Sequence, residues 1–501
     1  MTAWRTLHRR SLAASSVLSV AIATPVAAVL FRVLPRDWPA PALVATIAGA
    51  AALVVAGALV FDLVRLRTTA WRLTDDRLEL RSGIVFREHR SVPRDRIRSV
   101  DLTADPVRRA LGLAVVRIGT GEHASGERTT LTLDPLSRHA AEELRGALLH
   151  EIGEPHSGDP HGDRPLATLD WSWLRLAPLT VWTVAGGALV AGVAYKPLNA
   201  LGVDLFEPGV VADLWHWVTT RPWLAVPLLL AANALVGLAG ALVVFATTWG
   251  GYRLEREPGR LKLSKGLLTT RSLTIQERRL RGVELAEPLL LRLGGGARVK
   301  AVTTGLREKE ENEADDAGTL TPPMPRELAA QVAGRIIRAG HPVLRPHPAA
   351  ARTRRLRAAA VWTVLLTAAV AVAIRSVSWP VSWSWLWAVP AFVLPLALWL
   401  AADAYRGLGH ALGERHLVTR SGSIVRRTVA LDREGVVGWT VSESYLQRRL
   451  GLITVSATTA AGDGHYDLLD VGTEEGLELA ARAVPDLLGP FLTRRVGRPG
   501  P

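Results

Sequence analysis

A long internal repeat governs the architecture of this 501-residue chain. After one pair of apolar stretches it runs from Trp71-Arg72-Leu73 to Val100-Asp101-Leu102, and after the next from Tyr252-Arg253-Leu254 to Val283-Glu284-Leu285. Setting Gly83 on Gly266 places Arg96-Ile97-Arg98-Ser99-Val100 on Arg279-Leu280-Arg281-Gly282-Val283 without a gap. Leu111-Gly112 then falls on Leu293-Gly294 after a shift of one residue. A third occurrence is fainter, from His416-Leu417-Val418 to Gly438-Trp439-Thr440, yet Gly422 to Gly451 spans 29 residues, as Gly83 to Gly112 does. Self-similarity at this scale means that one small structural unit is built three times.

Within each unit the apolar period changes from two to 3.6. Arg77-Leu78-Glu79-Leu80-Arg81 and Arg260-Leu261-Lys262-Leu263-Ser264 alternate, which puts the leucines on one buried face of a strand. Asp75-Asp76 and Pro258-Gly259 supply turn chemistry before these strands, and Gly83 and Gly266 supply it after them. Each unit closes on an amphipathic helical stretch, over 140–149, 327–337 and 474–488. A meander first and a helix last, in fewer than a hundred residues, predict an α+β domain: a small barrel or sandwich capped by one C-terminal helix.

Six apolar stretches approach the roughly 20 residues that cross a bilayer as a helix. They are 11–31, 42–61, 176–194, 223–245, 358–374 and 385–402, and they read as three membrane hairpins. Composition agrees: 49% of residues are hydrophobic and 17 are Trp, many of them flanking these stretches, where the amphipathic ring suits the headgroup level. Arg5, Arg9, Arg10, Arg65, Arg67, Arg352, Arg354, Arg355, Arg357 and Arg406 border one side of the hairpins. The opposite loops are poorer in base, including the one with Lys196, Asp204, Glu207, Asp213 and Arg221. By the positive-inside rule both termini and all three repeated units face the cytoplasm of a multi-pass plasma-membrane protein. The expected organisation is hairpin 1–66, domain 67–152, linker 153–172, hairpin 173–248, domain 249–340, basic linker 341–357, hairpin 358–406, domain 407–490 and tail 491–501.

Paired spans, each followed by a domain with a glycine hairpin, a Val-Pro, an Arg-Ile-x-Ser-Val and a Leu-Gly, resemble bacterial pleckstrin-homology-like (PH-like) membrane proteins of the YdbT type. Thr74, Gly83, Val92-Pro93, Arg96, Ile97, Ser99, Val100, Leu111 and Gly112 carry the likeness in the first unit. The second keeps Gly266, Arg279, Val283 and Leu293-Gly294 but has Ile275-Gln276 in place of the proline. The third has Gly435-Val436-Val437-Gly438-Trp439 instead of the Arg-Ile pair, so it is expected to be the divergent one. The resemblance implies three PH-like domains that act as interaction modules, with a shorter PH-like membrane protein or the chain itself as partner.

Chemistry is sparse. The chain has no Cys, which excludes disulfides, thiolate nucleophiles and Cys-based metal centres. It carries none of the usual signatures of nucleotide hydrolysis, serine hydrolysis, zinc proteolysis or calcium loops. The run His156, Asp159, His161, Asp163 sits among Pro and Gly and reads as a linker rather than a metal site, and 308–316 reads as a solvated acidic loop. Gly294-Gly295-Gly296 reads as a barrel turn rather than a phosphate loop. No catalytic residue, metal or cofactor is therefore expected. The formal charge of +14 is assigned to membrane orientation and anionic lipid rather than to nucleic acid.

Two groups of residues remain as candidates. Arg94, Arg96, Arg98, Arg278, Arg279 and Arg281 gather positive charge just below the membrane, as a headgroup or acidic-partner surface. Asp62 with Arg65, and Asp403 with Arg406, have the three-residue spacing of same-face ion pairs at the inner ends of spans. Asn233 is the one strongly polar group near a span centre, and Gly237 with Ala241 offers a small-residue packing face beside it. The expected function is a non-catalytic binding or scaffold module in the membrane, for protein, peptide or lipid headgroup. A transporter or lipid-translocating export component is the alternative, which polar or broken spans would support.

Overall fold

A computed structural model describes residues 4–34, 38–83, 87–94, 97, 99–119, 130–150, 165–180, 183, 192, 195, 207–304, 318–340, 342–377 and 386–488. The His/Asp linker at 156–163, the acidic run at 308–316, Arg96 and Arg98, and most of the third expected span lie outside them. Two compact units are present, Met1–Glu277 and Arg278–Pro501, and the boundary falls inside the second repeat.

The first unit opens with a two-residue strand, β1 (Arg5–Thr6), and an antiparallel pair of helices, α1 (Ser11–Val33) and α2 (Ala40–Thr68). The first repeat follows as β2 (Ala70–Leu73), β3 (Arg77–Ser82), β4 (Glu88–Pro93), β5 (Ser99–Ala104), α3 (Pro106–Ala110), β6 (Leu113–Gly119), β7 (Thr130–Ser137) and α4 (Arg138–His150). Asp105 caps α3 by accepting from the Arg108 amide at 2.7 Å, and Pro106 presets its first turn. Strands β1 to β4 form one sheet and β5 to β7 part of another. Trp71, Leu78 and Leu80 from the first, Val100, Val116, Ile118 and Leu133 from the second, and Leu144 and Leu148 from α4 close a buried core. This is the sandwich capped by a helix that the periodicities predict.

The chain continues through β8 (Ala167–Thr168), a 3-10 turn at Trp171–Leu176, α5 (Pro208–Thr220) and α6 (Pro222–Trp249). The stretch with Asp213, expected as loop, is thus helical, started by Pro208 at its first position. Gly237 of α6 lies so close to Thr183 that a Cβ there would meet the Thr183 carbonyl at 2.0 Å, which gives the small-residue face its purpose. Three strands of the second repeat complete this unit: β9 (Arg253–Glu257), β10 (Arg260–Lys265) and β11 (Thr270–Gln276).

In the second unit the repeat resumes with β12 (Leu280–Pro288), α7 (Leu289–Leu293), β13 (Gly296–Thr303), β14 (Met324–Pro325) and α8 (Arg326–Ile337). Two long helices follow, α9 (Ala349–Val377) and α10 (Ala388–Arg406), packed as a pair. The third repeat is β15 (Gly409–Leu412), β16 (His416–Ser421), β17 (Val425–Asp432), β18 (Val436–Ser442), α11 (Tyr445–Arg449), β19 (Leu452–Thr459), β20 (His465–Gly472) and α12 (Thr473–Ala483). Leu417, Val429 and Leu431 face Val455, Ala457, Leu468 and Leu479 in its core. The order of elements is the same in all three repeats, so the third, expected to be the divergent one, keeps the fold of the other two.

Five helices among the described residues are long and apolar enough to cross a membrane: Ser11–Phe31, Ala40–Thr68, Pro222–Trp249, Ala349–Ser376 and Ala388–Arg406. Their side chains are mostly uncovered by protein; Leu53 is 75% exposed and Phe392 79%. Apolar surface of that extent requires lipid around it.

Backbone geometry corrects one detail of the repeat. Gly112, Gly295 and Gly451 all have left-handed φ, at 67°, 73° and 64°, immediately before β6, β13 and β19. Gly294 has φ −81°, so Gly295 is the true counterpart of Gly112 and no shift is needed. The hairpin glycines Gly83, Gly266 and Gly422 also share positive φ, and each lies 29 residues before its partner.

Candidate functional site

Successive repeats are joined by their sheets. Strand β5 of the first repeat pairs with β11 of the second in antiparallel fashion, Ser99 opposite Ile275 through Ala104 opposite Thr270. Strand β12 of the second pairs with β17 of the third, Gly282 opposite Leu431 through Glu287 opposite Arg426. Counted from the hairpin glycines, these two junctions have the same register at every position. Seven-stranded (β7-β6-β5-β11-β10-β9-β8) and six-stranded (β14-β13-β12-β17-β16-β15) sheets result.

One ion pair recurs at both junctions. Arg271 Nε lies 2.8 Å from Asp101 Oδ2 across the first, and Arg427 Nε lies 3.5 Å from Glu284 Oε1 across the second. Asp101 and Glu284 hold equivalent positions, as do Arg271 and Arg427, and both carboxylates are buried. A buried carboxylate left without its base is costly, so this pair specifies register as well as attraction.

The chain ahead of each helical stretch also pairs with the sheet that follows it. Arg5 pairs with Trp71 and Ala167 with Leu254, and an isolated bridge joins Arg345 to His410. Trp71, Leu254 and His410 are equivalent positions, twelve residues before the hairpin glycines. The repeated unit therefore begins ahead of the helices, with a short edge strand.

Charged joints tie the helix ends to the domains. The last strand of the first and third repeats carries a bulge, at 134–135 and at 469–470, and each bulge holds an aspartate. Asp134 is reached by Arg108 of α3 at 3.1 Å and by Arg65 of α2 at 3.6 Å. Asp470, fully buried, accepts from Arg354 Nη2 at 2.7 Å, Arg355 Nε at 3.0 Å and Gln447 Nε2 of α11 at 2.9 Å. Arg108 and Gln447 are equivalent residues, four before Gly112 and Gly451. Ser444 and Gln447 cap α11 reciprocally, which fixes the amide that serves Asp470.

A third joint lies at the end of α10. Asp403 accepts from Arg292 Nη2 at 2.7 Å, Arg426 Nη2 at 3.0 Å and Ser423 Oγ at 2.9 Å. Arg109, the counterpart of Arg292, donates instead to the Leu267 carbonyl at 2.8 Å. Beside this joint Glu287, 1% exposed, pairs with Arg326 at 2.8 Å.

These positions correct the expected ion pairs. Arg65 is drawn to Asp134 rather than Asp62, and Asp403 to Arg292 and Arg426 rather than Arg406. In both cases a folded domain below the helix offers a partner in a less hydrated setting than an exposed helix face, where such pairs are weak. Asp62 has no ion pair among the described residues.

Of the six candidate arginines, Arg94, Arg278, Arg279 and Arg281 are among the described residues. Arg94 donates to the carbonyls of Asp75 and Ala147, fastening the end of α4 to the β2–β3 turn. Arg433, its unrecognised equivalent in the third repeat, does the same to Glu414, Arg482 and Ala483 at 2.7 to 2.8 Å. Both guanidiniums satisfy helix C-terminal carbonyls and so serve the fold. Arg278 and Arg279 lie in a 3-10 turn, and the Arg281 stem lies against Gly435.

A buried histidine pair completes the polar interior. His410 Nδ1 and His347 Nε2 are 3.1 Å apart, and Glu475 lies 3.4 Å from His410 Nε2. Burial, then the neighbouring imidazole, pulls the His347 pKa down to about 4. Burial likewise lowers that of His410, with Glu475 opposing.

The pattern of the bacterial PH domain family matches residues 21–152 and 356–488, which hold the first and third repeats with their preceding helices. The chain is also similar to the UPF0699 transmembrane protein YdbT of Bacillus subtilis (strain 168), 21% identical over 443 residues, 83% of this chain and 84% of that protein. No solved structure matches. With more than half of its residues inside the matched pattern, and with helices fit to cross a bilayer, this membrane protein belongs to the bacterial PH domain family.

Proposed function

We propose that the chain is a non-catalytic, multi-pass scaffold of the plasma membrane, with three cytoplasmic PH-like domains on three helical hairpins. The observation that carries this reading is the twofold use of one junction, with one register and one ion pair on a buried carboxylate, to join neighbouring domains by their sheet edges. A fold that repeatedly spends its polar residues on holding domains to each other and to helix ends is arranged for binding.

The returning edge strands support six spans. Ala167 and Leu254 pair in one sheet, so the chain between them leaves and re-enters on the same side of the membrane. That requires an even number of crossings, of which α6 supplies one. The arginine-rich helix ends support a cytoplasmic position for the sheets and both termini. In this reading Arg96, Arg98, Arg278, Arg279 and Arg281 add attraction to the anionic leaflet, on the order of 1 kcal/mol each. The partner is a second membrane protein with PH-like domains or another copy of the chain.

The test is purification of the intact protein in mild detergent, with the mass of the complex and its components measured. A stoichiometric second protein, or defined self-association, is the expected result. A monomer that retains no protein and moves lipid or solute across liposomes overturns the scaffold reading. A reporter fused at the C-terminus that is active only outside the cytoplasm overturns the orientation.

A further inference from the structure

Both internal junctions unite the same two edges: the strand after the Arg-rich turn of one repeat and the third strand of the next. Three repeats in a row leave one edge of each kind unused, β18 of the last repeat and β4 of the first. Among the described residues, strand β18 pairs with β19 alone and β4 with β3 alone. Both lie open: Val437 is 67% exposed and Val441 43%, and Glu88 and His89 of β4 are exposed as well. An open edge presents a row of unpaired amides and carbonyls, a template for a further strand.

We propose that β18 of one chain receives β4 of a second copy, in the register used twice inside the chain. This rests on the scaffold reading and names its partner. Carried over position by position, the register sets Gly438 opposite Val92, Trp439 opposite Ser91, Thr440 opposite Arg90, Val441 opposite His89, Ser442 opposite Glu88 and Glu443 opposite Arg87. The last pair is oppositely charged and occupies the place of Glu287 opposite Arg426. Both internal junctions join domains carried by hairpins of a single chain in one membrane, so the same union between chains is compatible with a shared bilayer.

The outer edges differ from the inner ones at one point. Where the internal junctions have Asp101 with Arg271 and Glu284 with Arg427, the free edges have Thr440 and Glu88. The recurring ion pair cannot form there. The union between chains is therefore weaker than the permanent ones within a chain and reversible. It joins unlike surfaces, so it extends head to tail and closes only as a ring.

The chain has no Cys, which makes disulfide trapping clean. Full-length Val441→Cys and full-length His89→Cys, differently tagged and co-expressed in one membrane, are oxidised mildly. Roughly tenfold more inter-chain link is expected from this combination than from Val437→Cys with His89→Cys, which the register separates by more than a disulfide spans. Thr440→Asp combined with Glu88→Arg restores the missing ion pair and is expected to raise the linked fraction. Links that ignore register, or Val441→Cys chains linked to one another instead, overturn the proposal. No link while a different protein co-purifies stoichiometrically overturns the second-copy occupant and leaves the scaffold reading standing. No link from a chain that is monomeric and partner-free overturns both.

Discussion

Asp101 of β5 and Arg271 of β11 meet diagonally across the first junction, with Oδ2 and Nε 2.8 Å apart and only 8% and 21% of the two side chains exposed. Replacing Arg271 with Leu leaves a buried carboxylate without its base and is expected to cost about 2 to 4 kcal/mol of stability, scaled down slightly for the exposed part of the arginine. Removing both charges with Asp101→Leu should recover much of that loss. The thermal midpoint of the detergent-solubilised protein measures both. Additive losses in the double variant would show that the pair carries no coupling.

Asp470 holds three donors while sitting at φ 59°, in the left-handed region. Asn tolerates that backbone, so Asp470→Asn isolates the charge. We expect a loss of about 3 to 5 kcal/mol, since Arg354 and Arg355 would face each other uncompensated in a buried site. Trypsin should then cut at Arg354 or Arg355 in the folded protein at doses that spare the parent. Unchanged cleavage and an unchanged midpoint would show that the joint does not anchor the helix.

The hairpin glycines differ from ordinary turn glycines. At Gly266 φ is 105° and a Cβ would stand 1.9 Å from the Thr269 carbonyl oxygen, whereas Gly259, with φ 70°, opens onto empty space. Gly259→Ala is expected to cost about 1 kcal/mol, for the left-handed backbone alone. Gly266→Ala adds a clash with backbone that cannot yield, and is expected to cost at least twice that, on the order of 3 kcal/mol. Equal midpoints for the two variants would remove the steric part of the argument.

Much of this fold is legible because periodicity is local. Leu78 and Leu80, or Leu261 and Leu263, declare their strands within five residues, and the closing helices end within a few residues of the expected places. The third repeat is hard to read because its Arg-Ile pair is gone while its glycine geometry survives, and φ is not a letter in a sequence. The junctions are harder still. Asp101 and Arg271 lie far apart in the chain, and nothing near either announces the other. The signal was nevertheless present: aligning the repeats on their hairpin glycines puts Asp101 on Glu284 and Arg271 on Arg427, two opposite charges kept in step. Reading Asp403 with Arg406 failed for the same reason, because spacing along a helix finds local partners and overlooks the domain below it.

The buried histidines give the last prediction. His347 and His410 are 6% and 1% exposed and contact each other beside Glu475 and Arg345, at the entry to α9. Both pKa values are lowered by burial, that of His347 to about 4, so both rings are neutral in the folded protein at pH 7. In the unfolded chain they titrate near 6.5. As pH falls below 6.5 the unfolded state takes up protons that the folded state resists, so this contribution to stability is complete above pH 6.5 and is lost down to about pH 4. The slope approaches about 1.4 kcal/mol per pH unit for each histidine that resists protonation. Thermal midpoints in detergent should therefore drop between pH 6.5 and 4.5, and His347→Gln should flatten that drop by about one proton's share. A variant with the parent's slope would show that His347 is not the group being titrated.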